Sequence, residues 1–204
     1  MDDSTNPSSA EPPPEGVDES RWRTALHESG HCAVAFYYRL RIHSVTIDRD
    51  RIDKNGAGGV ARITFHSRPS RVLESLASLM GGLAADVVFD RAPDDEMLRL
   101  AADSGDIVQT MIRHLDSDRV LGSNLDIIEL KRLLDRHTGC DGEKRIELIR
   151  MLVFWAVKCI RENRAAVRAL AHKLALKGTM SGDAVRQTLK PLMGRFNDRP
   201  ADEG

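Results

Sequence analysis

Along most of this chain, apolar residues recur at the three- and four-residue spacing of an amphipathic helix. Only one short region shows the two-residue spacing of a strand. Residues 1–18 are rich in Pro, Ser, Asp and Glu and carry almost nothing apolar, which predicts a disordered tail. From Ser20, a suitable N-cap, Trp22, Leu26, Val34 and Phe36 predict a first helix ending near Tyr38. Ile42, Val45 and Ile47 alternate and are β-branched, so 42–47 reads as a strand. A polar, Gly-rich loop follows over 48–59. Val60, Ile63 and Phe65 predict a second strand, making 42–66 a β-hairpin or small meander.

Everything after Pro69 reads as helix. Leu73, Leu76, Leu79, Met80 and Val87 predict one helix over 70–89, and Pro93 breaks the pattern. Further helices are expected over 104–115, 124–136 and 143–177, the last long enough to kink, and a short one from Ser181 or Gly182 to before Pro191. The expected fold class is mainly α with a minor β element (α+β). The 204 residues suit one domain, placed at 19–196, with a second short tail over 197–204.

Composition changes this picture little. Apolar residues make up 41% of the chain, enough for a core, and the net charge of −1 gives no whole-molecule attraction to nucleic acid. That neutrality conceals an asymmetry. Residues 1–20 hold six acids and no base, whereas 131–199 hold 16 Lys/Arg against seven Asp/Glu. The longest apolar run, 151–157, stops at Lys158, short of the roughly 20 residues of a membrane span, so no span is expected. The acidic start lacks the layout of a signal peptide. Cys32, Cys140 and Cys159 are scattered and odd in number, as suits reduced thiols in the cytoplasm.

The chemistry concentrates in His27-Glu28-Ser29-Gly30-His31, an HExxH pattern within the first helix. Residues four apart share a helix face, so both imidazoles can reach one metal ion at roughly 2.0–2.1 Å. Glu28 is placed to act on a water at that ion, the division of labour in a zinc hydrolase. The bland alternative is a surface helix bearing two solvated histidines. Gly30 argues against it, because glycine within a helix implies close packing. A catalytic zinc takes three protein ligands. The third could come from His43, His66, Asp86, Asp103, Asp106 or His114.

Residues 24–34, TALHESGHCAV, are similar to the protease-domain motif of the FtsH family of ATP-dependent zinc proteases, which usually reads HEAGH. Further blocks agree in order. IHSVTI (42–47) resembles the strand after the metal helix, and LASLMGGLAADVVFD (76–90) the helix with a GGxAAE core. SGDIVQT (104–110) resembles the helix start with an Asn-Asp step, and LALKGTMSGDAVRQTL (174–189) the closing helix-turn-helix. The likeness spans about 21–190. It implies a helical peptidase fold, a zinc ion held by His27, His31 and Asp106, and Glu28 as general base. Gly105, Leu83 and Asp86 depart from the family's Asn, Arg and Glu. Asp86 becomes a candidate partner for a ligand histidine, or the alternative ligand.

No GxxxxGK[ST] loop occurs, so the likeness is to the peptidase domain alone. The expected function is therefore a zinc-dependent endopeptidase acting on unfolded or flexible segments, with a protein or peptide substrate. A separate ATPase or unfoldase and a homo-oligomer are possible partners. The alternative is a non-proteolytic, zinc-stabilised scaffold or regulatory module. Among other features, the strand at 45–47 could offer a free edge to an extended substrate. Lys158, Arg161, Arg164, Arg168 and Lys177 form a basic stripe on the predicted long helix. Phe154 and Trp155 read as core, and Cys32 as a buried thiol facing away from the histidine pair.

Overall fold

A computed structural model describes residues 12–48, 59–64, 71–90, 125–137 and 142–193. It is mainly α-helical with one small antiparallel sheet, the fold class expected from the sequence. The elements run α1 (Glu19–Tyr37), β1 (Ile42–Thr46), β2 (Val60–Ile63), α2 (Val72–Leu79), α3 (Gly81–Asp90), α4 (Leu125–His137), α5 (Gly142–Glu162), α6 (Arg164–Lys177), β3 (Thr179–Ser181) and α7 (Gly182–Leu189). The expected helix over 104–115 lies outside the described residues, as do 1–11 and 194–204.

Helix α1 is the centre of the molecule. It packs against α2, α3, α5, α6 and α7, and against β1 and β2. Every residue from Glu28 to Ala35 is buried, which fits a helix enclosed on all sides and rules out a solvated surface helix. Its N-cap is Asp18, not Ser20: the Asp18 carboxylate accepts the Arg21 N–H at 2.8 Å, satisfying one of the helix's orphan donors. The segment just before it departs from the tail reading. Val17 N–H donates to the Pro14 carbonyl at 3.0 Å, and Val17 packs on the core.

The sheet has the order β2-β1-β3. Val45 stands opposite Ala61 on one side and Met180 on the other, so β1 has no free edge. The edge expected at 45–47 is therefore taken, and among the described residues β2 and β3 are the outer strands. Strand β3 falls within what read as a helix-turn-helix. Three residues are too few to show an alternation.

Two predicted single helices are each two. The stretch read as 70–89 breaks at Met80, and the one read as 143–177 breaks at Asn163. Asn163 closes α5 by donating its side-chain amide to the Cys159 carbonyl at 2.8 Å. That second break divides the basic stripe between α5 and α6. Lys158 pairs with Glu162 at 3.7 Å, and the Arg164 guanidinium lies 5.0 Å from the Phe89 ring centroid. Phe154, expected in the core, is exposed.

By length and a mean hydropathy of 1.6, the stretch Val72–Phe89 could cross a membrane, which the run-length reading of the sequence passed over. Here 72% of it is buried inside the protein, so its apolar side chains form core. Leu76, Leu79, Met80, Ala84, Ala85 and Phe89 belong to the main cluster.

Candidate metal centre

The break at Met80 builds the site. It lets α3 cross α1 with two glycines in contact. A Cβ on Gly30 would overlap the Gly81 carbonyl oxygen, and one on Gly81 would lie 2.5 Å from the Gly30 oxygen. The backbones therefore touch where a side chain on either helix would hold them apart. This is the close packing that Gly30 implied in the sequence.

Both histidines are oriented from behind. His31 Nδ1 lies 2.9 Å from the Ser78 carbonyl, in the last turn of α2. A carbonyl only accepts, so Nδ1 carries the proton. The Gly82 N–H also approaches Nδ1, at 3.3 Å, but a protonated Nδ1 has no lone pair to receive it. His27 Nδ1 donates to the Asp86 carboxylate at 2.8 Å. Asp86 sits one turn beyond Gly82 on α3, on the same face. Asp86 thus holds the far nitrogen of His27 and is placed to orient a ligand rather than to be one.

With both Nδ1 atoms protonated, both Nε2 atoms of neutral rings present lone pairs. They face each other at 3.2 Å, with ring centroids 4.9 Å apart and planes at 75°. Two lone pairs directed at each other across that distance repel. A cation between them, either a proton or a metal ion, turns the repulsion into attraction. Two nitrogens bound to zinc at roughly 2.0–2.1 Å with a tetrahedral angle lie about 3.3–3.4 Å apart, so the pair fits such an ion.

Glu28 and His31 are only 5% and 4% exposed, whereas the His27 side chain keeps 29% of its surface in solvent. Access to the pair is therefore from the side of His27. Gly59, just before β2, packs on the Glu28 side chain: a Cβ there would lie 2.6 Å from Glu28 Cγ and 2.8 Å from Oε1. Strand β2 consequently starts against the carboxylate.

The other sequence candidates divide as follows. His43 is exposed, at an irregular position of β1, and bonds Thr64 Oγ1 through Nε2 at 2.6 Å, so it does not join the pair. His66, Asp103, Asp106 and His114 lie outside the described residues. Among the described residues, no group of three or more His, Cys, Asp or Glu converges as a metal set. Cys32 is fully buried, and burial, with the Glu28 charge adding, pushes its thiol far up, leaving it inert as a nucleophile. Sequence reasoning missed the Ser78 carbonyl, Gly59 and Gly82. Only the Gly81-Gly82 pair, inside an apolar helical pattern, left a signal. No protein-family model matches the chain, and no curated protein matches it.

Proposed function

We propose that this protein is a zinc-dependent endopeptidase that hydrolyses peptide bonds in unfolded or flexible protein segments. The supporting observation is the opposed pair of Nε2 lone pairs at 3.2 Å, each ring fixed through Nδ1, with Glu28 on the same helix. His27 and His31 would hold the ion. Asp106, which the FtsH-like SGDIVQT block suggests, would complete the set. A bound zinc ion lowers the pKa of its water to about 7 and polarises a carbonyl.

The chain's own groups supply the rest. Glu28 accepts a proton from the attacking water and passes it to the departing amine nitrogen. Asp86 and the Ser78 carbonyl keep both Nδ1 atoms protonated and both Nε2 atoms directed inward. Strand β2 starts beside Glu28 and, among the described residues, has only the side toward β1 taken, so its other edge would receive an extended peptide backbone.

The test has two parts. Protein purified without chelators should carry close to one zinc per chain. It should cleave casein or an unstructured peptide, and Glu28→Gln should abolish cleavage while zinc remains bound. Zinc without turnover on any substrate would favour the scaffold reading, and an absence of zinc would defeat both.

A further inference from the structure

The first turn of α3 lies against the histidine pair, and Gly82 is the residue that meets it. A Cβ placed on Gly82 overlaps His27 Nε2 and His31 Nε2 at the same distance from each, and lies 2.6 Å from His27 Cε1. A side chain there would crowd the donor nitrogens of both rings at once. The neighbouring glycine has a different reason to be one: a Cβ on Gly81 meets backbone of α1, 2.8 Å from the Gly30 carbonyl carbon. Backbone conformation explains neither, since the described glycines with positive φ are Gly16, Gly142 and Gly178. Within a helix alanine is the favoured residue, so glycine at 82 runs against propensity and is accounted for by space alone.

The geometry points to Gly82 as a position that determines cation binding although it donates no ligand atom. Its missing side chain leaves the room between the two imidazoles. Any Cβ there forces the rings out of the paired arrangement. His27 can yield, because its ring is partly in solvent, whereas His31 is held between α1 and the Ser78 carbonyl. The inference rests on the metal-binding part of the proposed function and is independent of peptide cleavage.

The experiment compares wild type, Gly82→Ala and Gly81→Ala by zinc titration against a chromophoric chelator and by thermal unfolding with and without zinc. Gly82→Ala should lose zinc affinity by about 100-fold or more while keeping wild-type helicity. Gly81→Ala should instead lower the metal-free Tm. If Gly82→Ala does not fold, cutting away both rings should relieve it, and the His27→Ala/His31→Ala/Gly82→Ala triple variant should fold as His27→Ala/His31→Ala does. Zinc affinity in Gly82→Ala within a few-fold of wild type overturns the proposal, as does a triple variant that stays unfolded while His27→Ala/His31→Ala folds. A wild type that binds zinc without cleaving peptides defeats the peptidase reading alone. A wild type that binds no zinc defeats both.

Discussion

Replacing Gly30 with alanine should destabilise the protein, although an ordinary helix gains from that change. In a helix interior, Gly→Ala is worth about 1 kcal/mol in favour of alanine. Here the new Cβ overlaps the Gly81 carbonyl oxygen and lies 2.7 Å from the Ala85 Cβ and 2.9 Å from the Gly81 carbonyl carbon. Carbon atoms in contact prefer roughly 3.5–4.0 Å, so α1 and α3 must separate by about 1 Å. Overpacking costs typically 1–3 kcal/mol, and a backbone obstacle cannot turn to another rotamer, which favours the upper end. Separation also stretches the His31–Ser78 bond, a further loss of about 1 kcal/mol. The net loss should be roughly 2–3 kcal/mol after the propensity gain, a fall in Tm of about 5–10 °C for a chain of this size. Urea unfolding followed by circular dichroism measures it. A midpoint equal to or above that of wild type would refute the glycine crossing as the reason for this residue.

Three further outcomes follow from single groups. The Ser29 hydroxyl is buried with no hydrogen-bond partner, so Ser29→Ala should raise stability by about 1 kcal/mol, opposite in sign to its neighbour, and an unchanged or lower urea midpoint would contradict this. Asp86→Asn weakens the acceptor behind His27 and should reduce zinc affinity about 10–100-fold, with Glu28 chemistry untouched; chelator competition reads it, and an unaltered affinity would remove Asp86 from the site. Burial pushes the Cys159 thiol from its ordinary 9.0 up to about 12. The folded state therefore keeps a proton that the unfolded chain loses above pH 9, so this contribution to stability should decline as pH rises from 9 toward 12. Urea midpoints at pH 8 and 10.5 compare it with Cys159→Ala, which should show the smaller decline.

How far the sequence disclosed this arrangement depends on distance along the chain. The metal helix was legible because two histidines four apart and an intervening glycine are local signals. Its N-cap was misplaced by two residues because both Asp18 and Ser20 have capping side chains. The break at Met80 was hidden, since Leu76, Leu79, Met80 and Val87 keep a helical period across it and only Gly81-Gly82 interrupts the pattern. Strand β3 was hidden because it is short and owes its extended form to pairing with β1. The Gly82–histidine contact is a relation between residues about 50 positions apart, which periodicity does not register. The Asp86–His27 bond spans 59 positions; Asp86 stood among the candidate ligands, and its role as a histidine's partner came only through the resemblance.

The β1–β3 pairing also governs when the molecule becomes complete. Thr46 on β1 meets Thr179 on β3, their hydroxyls 2.7 Å apart across 133 positions of chain, and α1 is walled in part by α6. Closing so long a loop is slow relative to local helix formation. The histidine helix must therefore await α6 and β3 before it is enclosed, and a ribosome-bound chain lacking them would hold α1 open along the face that α6 covers.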